Sequence, residues 1–314
     1  MTEPAGTQRE TVRGCVNREE LLQVVDLLDR AFENTPREYF ERHVLHDPTL
    51  SPEDTRILLR DGRIVSSVQI FPRIMRVAGA SIPFGGIGNV ATDPSERKSG
   101  LASTVMHEAI ARMRQRFPFS MLTTTINRYY ERFGYRTVVR EQGILAPISG
   151  SMSAGVRRFR MDTDLARVKE LYRTYTEQSV GPVVRDDLYW EGQFAFCGED
   201  TEKFLVLERD GTIRGYIRAR VYKEYLEILE YAAGEDLPAV FDLLLRAVAG
   251  MTPPMPIKLY LSEIERARLQ LKHRLEIKED TDLMCVVFDE RYAETIERQV
   301  MQRNGVNFWS SDFF

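Results

Sequence analysis

One stretch, Gly85 to Tyr135, restricts the folds open to this chain. It reads Gly-Gly-Ile-Gly-Asn-Val-Ala-Thr-Asp-Pro, then Ser95-Glu96-Arg97-Lys98-Ser99-Gly100-Leu101-Ala102, then an amphipathic run to about Phe117. A short apolar segment, 119 to 126, follows, and then Asn127-Arg-Tyr-Tyr-Glu-Arg-Phe-Gly-Tyr135. The pattern predicts strand, basic glycine turn, helix, strand and aromatic helix. A turn that opens a helix leaves several backbone N–H groups unpaired at the positive end of the helix dipole. Such a turn suits a phosphate. Arg97 and Lys98 add positive charge, and Gly100 permits a close backbone approach.

Upstream, Val12 to Val16 reads as a first strand. Asn17 is placed to cap a helix, with Glu20 three residues on at capping-box spacing. Leu21, Leu22, Val24, Val25, Leu27, Leu28, Ala31 and Phe32 then recur at helical intervals. A second amphipathic piece covers 39 to 45. The runs 55–59 and 64–70 flank Asp61-Gly62 and read as a hairpin. Phe71 to Val77 continues the sheet, and Ser81 to Thr92 is the next strand, its glycines marking a bulge or a close approach. Leu101, Val105, Met106, Ala109, Ile110 and Met113 form the apolar face of the helix that covers the sheet. Tyr135 to Leu145 reads as one more strand.

A Ser-, Gly- and Pro-rich segment, 148 to 155, then reads as a linker. Beyond it the order of elements recurs: strand 156–160, a helix with Leu165, Val168, Leu171, Tyr172 and Tyr175, a second helical piece 186–190, and strands 204–208, 213–221 and 225–232. Helix 237–249, strand 257–261, helix 267–273 and strand 283–288 complete it. The repeat is architectural, not a repeat of sequence. Where the basic glycine turn should return stands Gly234-Glu-Asp-Leu-Pro238, which is acidic and would repel a phosphate. A chain of 314 residues suits two domains. The division expected is a loose end 1–11, a first domain 12–147, the linker 148–155, a second domain 156–288, and a tail 289–314. The tail starts as a helix and ends with Phe308, Trp309, Phe313 and Phe314, too aromatic for a solvated end.

The formal net charge of −4 argues against non-specific nucleic-acid binding and offers no basic patch to a membrane. No apolar run reaches transmembrane length and no signal segment is recognised. Cys15, Cys197 and Cys285 are widely spaced without a Cys-x-x-Cys pair. They read as buried hydrophobes in a cytoplasmic protein, and with four histidines no metal site is expected.

Val90-Ala-Thr-Asp-Pro-Ser-Glu-Arg97-Lys-Ser-Gly100-Leu-Ala102 resembles motif A of the GCN5-related N-acetyltransferase (GNAT) superfamily, of form Arg/Gln-x-x-Gly-x-Gly/Ala. Tyr130-Glu-Arg-Phe-Gly-Tyr135 resembles its motif B. Each alone is a weak signal; both at this separation, with a helix and a strand between, form a strong one. The arrangement of an intact first copy, a degenerate second copy and an aromatic end resembles the enhanced intracellular survival (Eis-like) group. That group's usual third, sterol-carrier-like domain has no counterpart here, which puts its substrate class in doubt. The resemblance covers 12–145 well and 156–288 by element order only.

The resemblance implies an α/β (α+β) fold: two tandem domains, each a mixed, mostly antiparallel twisted sheet flanked by helices. It also implies an acetyl-CoA-dependent N-acetyltransferase acting on a primary amine of a small molecule or of a protein lysine. In that reading the N–H groups of Lys98, Ser99, Gly100, Leu101 and Ala102 hold the pyrophosphate, with Arg97 and Lys98 assisting. Val90, Ala91 and Thr92 line the pantetheine arm on a splayed strand, where an N–H near Val90 polarises the thioester carbonyl. Tyr130 donates the proton to the leaving thiolate, and Asn127 contacts the cofactor arm. Tyr129, its neighbour, is the packing residue. The α-carboxylate of Phe314 is the base implied for the amine proton. A tail packed on the second domain or across an interface between copies is the alternative, which leaves a homo-oligomer open. From a different class, a non-catalytic acyl-CoA-sensing module on the same fold is the second reading; retention of Tyr130 favours the enzyme.

Overall fold

The computed structural model describes residues 9–197 and 202–312. The first half runs β1 (Glu10–Gly14), α1 (Arg18–Ala31), α2 (Arg37–His46), β2 (Thr55–Arg60), β3 (Arg63–Val77), β4 (Ala80–Thr92), α3 (Leu101–Arg114), β5 (Phe119–Thr123), α4 (Asn127–Glu131), β6 (Arg136–Thr137) and β7 (Arg140–Leu145). The second runs β8 (Val156–Arg158), α5 (Met161–Thr176), β9 (Val180–Val183), α6 (Asp187–Cys197), β10 (Glu202–Arg209), β11 (Thr212–Val221), β12 (Leu226–Ala233), α7 (Leu237–Ala249), β13 (Ile257–Tyr260), α8 (Glu263–Leu269), β14 (Leu275–Asp280), β15 (Leu283–Val287) and α9 (Ala293–Gln299).

Local chemistry accounts for the frame. The Asn17 side chain accepts from the Glu20 N–H at 2.9 Å and starts α1 as the sequence predicts. Asp61-Gly62 and Asp210-Gly211 both hold positive φ at each residue, the geometry that matches a tight hairpin to the strand twist. Leu101, Val105, Met106, Ala109, Ile110 and Met113 are buried on the inner face of α3, in one core with Val68 and Ile70 of β3. Cys15 and Cys285 are buried, and burial pushes each thiol up to about 12.

Two mixed sheets result. The first has the order β1-β2-β3-β4-β5-β15-β6, with β9 added along the far end of β3; the second has the order β14-β7-β13-β12-β11-β10-β8. The expected continuous strand 135–145 is broken: β6 stays in the first sheet and β7 crosses to lie between β13 and β14 of the second. In exchange, β15 returns to sit between β5 and β6. Sheet membership therefore does not follow the expected boundaries at 147 and 288. Strands β9 and β14 and the position of α8, earlier than the expected 267–273, are further departures.

Segment 304–312 threads between the halves. The Asn304 N–H donates to the Val139 carbonyl at 2.8 Å and the Asn307 N–H to that of Val180 at 2.8 Å. Phe308 is buried in the core behind the first sheet, edge-on to Phe84 at 6.1 Å. Trp309 is buried in the core of the second. The aromatic end is packed as far as it is described.

Candidate active site

The site starts at an irregularity in β4. Opposite β3, Ser67 pairs with Ala91 but Gln69 pairs with Gly88, so β4 carries one extra residue, a bulge at 89–90. Asn89 holds φ +50 there. Its amide donates to Gln69 Oε1 at 2.6 Å, and the buried Gln69 amide donates to Thr55 Oγ1 at 3.1 Å. On its other edge, β4 pairs in parallel with β5 only from Gly85 to Ile87. From Gly88 to Thr92 the backbone edge facing β5 pairs with no described strand, as the sequence leads one to expect. The bulge falls on Asn89 rather than on the glycines.

Asp93 then fixes the turn. Its carboxylate accepts from the Ser95 N–H at 3.1 Å and from the Ser95 hydroxyl at 2.6 Å, and it pairs with Arg63 and, at 3.3 Å, with Arg30. Burial works against this charge, but the Ser95 bonds and Arg63 outweigh it and hold the carboxyl at about 2. Lys98 (φ +69) and Gly100 (φ +84) are left-handed, which swings the chain into α3. Among the described residues, no acceptor meets the N–H groups of Lys98, Ser99, Gly100, Leu101 and Ala102. No acidic side chain stands in the first turn of α3. A Cβ on Gly100 would meet nothing within 4 Å, so the space before the turn is open. This arrangement fits a pyrophosphate.

Two expected contributors are engaged elsewhere. Arg97 donates to the Ala31 carbonyl at 3.0 Å and ties the turn to the end of α1, leaving Lys98 as the free charge of the pair. Asn127 donates to Thr137 Oγ1 and to the Thr281 carbonyl, both at 2.8 Å. Both amide hydrogens are used, so only its Oδ1 could meet a ligand.

Helix α4 forms the other wall. Tyr130 is 8% exposed, and its hydroxyl bonds to no described residue. Burial first, and then Tyr129, push it up to about 12. Tyr135 is the contrast: it is fully buried and shares a 2.7 Å hydrogen bond with Ser120. Tyr129 packs edge-on to Tyr130 at 4.9 Å, consistent with its packing role. Phe314 lies outside the described residues.

Residues 15–138 match the acetyltransferase (GNAT) domain family. The chain contains a GNAT acetyltransferase domain. It is 26% identical over 185 residues to the N-acetyltransferase Eis of Mycobacterium tuberculosis and of Mycobacterium bovis, an alignment covering 52% of this chain and 46% of theirs. The chain thus spans about half the length of these curated relatives. Among solved structures, a probable N-acyltransferase from Enterococcus faecalis superposes with a TM-score of 0.68 at 19% identity, covering 90% of this chain and 73% of that one. Eis1 of Mycobacterium abscessus superposes at 0.65 and 13% identity, covering 91% and 76%. These likenesses span both halves, so the two-sheet fold is shared beyond the matched domain.

The second half of the chain repeats the splay without the cradle. Strands β12 and β13 pair in parallel only at Leu226↔Ile257 and Glu227↔Lys258. Just past that point, Tyr231 donates at 2.7 Å to Glu265, which is 1% exposed and also bonded by Tyr175. Trp309 packs beside Tyr231 at 5.8 Å. Sequence reading missed this plug because α5, α8 and the tail contribute to it from distant positions. Among the described residues, no group of three or more His, Cys, Asp or Glu side chains could hold a metal. No helix there is long and apolar enough to cross a membrane.

Proposed function

We propose that this chain is an acetyl-CoA-dependent N-acetyltransferase acting on a primary amine, carried by a small molecule or a lysine side chain. The reading rests on one observation: the unpaired edge of β4 from Gly88 to Thr92 runs directly into the turn with free N–H groups at 98–102. Bound acetyl-CoA would supply an acetyl group activated as a thioester. The turn and Lys98 bind the pyrophosphate, and the edge of Val90, Ala91 and Thr92 accepts the amide-bearing arm as a strand would. The bulge aims a backbone N–H near Val90 at the carbonyl oxygen, a fixed dipole that stabilises negative charge developing there.

Tyr130 donates to the departing sulfur. With its phenol at about 12, it stays protonated over the physiological range. The thiolate of an ordinary thiol, pKa about 8.5, is a weaker base than the Tyr130 phenolate, so complete proton transfer from Tyr130 costs on the order of 5 kcal/mol. Tyr130 therefore acts first as a hydrogen-bond donor to the thiolate and completes the transfer as the acid only when the site is occupied and polarised. Within this reading, residues 12–147 hold the cofactor, and 156–288, with their acidic turn and plugged splay, hold none.

The test is turnover of acetyl-CoA across a panel of aminoglycosides, polyamines and lysine peptides, with free thiol as the readout. Release of thiol that depends on an amine is expected. Tight CoA binding with no turnover on any amine would favour the sensing module instead.

A further inference from the structure

Besides Arg97 and Lys98 of the turn itself, the arginines near the cradle are mostly paired with carboxylates. Arg60 pairs with Glu10 and Glu96, and Arg30 and Arg63 pair with Asp93. Arg132, on the turn that follows α4, pairs with no carboxylate among the described residues, yet it is held firmly. Its Nη2 donates to Ser103 Oγ at 2.8 Å, which ties it to the first turn of α3. Its guanidinium lies 4.1 Å from the Tyr129 ring centroid and 5.0 Å from that of Phe133. Next to this stack, the Tyr129 hydroxyl is buried and finds no hydrogen-bond partner. His107, one turn after Ser103 on α3, packs on Phe133 at 5.0 Å and completes the cluster.

We propose that Arg132 recognises the 3′-phosphate of coenzyme A, an inference that rests on the acetyl-CoA reading of the cleft. The pyrophosphate would lie against the turn ending at Gly100. Ser103 stands about one helical turn further along α3, roughly 5 Å, the scale that separates a ribose 3′-phosphate from the pyrophosphate on the same nucleotide. A guanidinium carries five donors in a planar fork, and one hydrogen bond to Ser103 leaves the others for phosphate oxygens. Stacking on Tyr129 orients the fork beforehand, so binding orders little that is not ordered already. Arg128 is the internal comparison: it is exposed on α4, one turn before Arg132, but has no ring contact and no hydrogen bond to a described residue.

Calorimetric titration of wild type, Arg132→Gln and Arg128→Gln with coenzyme A and with 3′-dephospho-coenzyme A tests the assignment. Wild type should bind coenzyme A about tenfold or more tightly than the dephospho form, as a charge-assisted arginine–phosphate contact requires. Arg132→Gln should bind both at the wild-type dephospho level, and Arg128→Gln should keep the wild-type ratio. Ser103→Ala, which frees the guanidinium, should lower the ratio in part. If Arg132→Gln does not fold, Arg132→Lys carries the same test, and its ratio should fall below wild type because the planar fork is gone. Equal wild-type binding of the two ligands, an unchanged ratio in Arg132→Gln, or an equal loss in Arg128→Gln overturns the role of Arg132 while leaving the acetyl-CoA reading intact. Binding of neither ligand by wild type overturns both.

Discussion

Arg185 donates from Nε to the Asp312 carboxylate at 2.9 Å, and both side chains are completely buried. The same guanidinium reaches Glu230 at 2.5 Å, and Glu230 accepts from the Ser311 hydroxyl at 2.5 Å. Gln193 donates to the Ser311 carbonyl at 2.9 Å. A tail segment is thus clamped by charges from β12 and from the link between β9 and α6, and by the neutral Gln193 amide of α6. Burial opposes the charge on Glu230, but Arg185 and Arg218 outweigh it and hold it at about 2. Arg185 and Glu230 face each other as a fully buried ion pair, and Arg185 pairs with Asp312 as well, so removing one carboxylate leaves positive charge under-compensated in the interior.

Asp312→Ala should therefore cost about 3–5 kcal/mol of stability, because it breaks a buried pair from one side. Chemical denaturation checks this. A loss below about 1 kcal/mol would mean that the clamp is not formed in solution.

Gly181 should be equally intolerant. It holds φ +120, and a Cβ there would lie 2.5 Å from the Asn307 carbonyl carbon and oxygen. Both partners are backbone and neither can swing aside. Gly181→Ala should displace the tail, lower Tm by several degrees and open a protease-sensitive site after Asn304, read by mass spectrometry of the limited digest.

Gly100→Ala asks a different question. No atom lies within 4 Å of the added carbon, so no clash arises. The left-handed φ of +84 alone should cost roughly 1 kcal/mol. The larger loss should be in CoA affinity, since the methyl group enters the space that phosphate oxygens need. An affinity loss no greater than the stability loss would argue that the pyrophosphate lies elsewhere.

The turn itself should be pH-sensitive through Asp93. Its folded value of about 2 lies below the free value of 3.8, so its stabilisation is fully present above pH 4 and is lost as pH falls through 2. The shift is on the order of 2 kcal/mol. Asp93→Asn should be destabilised by about that much at pH 7, and its stability curve should converge with that of wild type as the pH approaches 2. Parallel curves would remove Asp93 as the linked group.

Much of this architecture is legible along the chain because it is local. Asn17 and Glu20 announce the start of α1, Asp61-Gly62 a hairpin, and the apolar face from Leu101 to Met113 the helix over the sheet. The splay of β4 is also readable, from glycines followed by a cradle. What could not be read is non-local. The exchange of β7 and β15 depends on which free edge each strand meets, and alternation of side chains along 140–145 is the same in either sheet. Strand β9, Val-Gly-Pro-Val, is too short to register until β3 and the tail lie beside it. Arg97 matched its motif and Asn127 was expected on the cofactor arm, but their bonds go to Ala31, Thr137 and Thr281, partners outside the stretch that carries the motifs. Motif matching supplies a residue's place, while packing decides which of its atoms remain free.

Tyr130 is the residue for which that freedom matters most. Its hydroxyl bonds to no described residue, and burial holds its proton to about pH 12. Tyr130→Phe deletes one oxygen and leaves the ring contacts with Tyr129 and Tyr135 in place. Stability and CoA affinity should therefore hardly change, while kcat falls about a hundredfold, as expected for loss of a donor to a charged leaving group. The pH profile gives a second check. A tyrosine titrating at about 12 stays protonated through pH 10, so wild type should show no alkaline decline in kcat from this group below that pH. If kcat in the phenylalanine variant is unchanged, the leaving thiolate takes its proton from another source. If kcat and CoA affinity fall together, Tyr130 shapes the cleft and does not serve the sulfur.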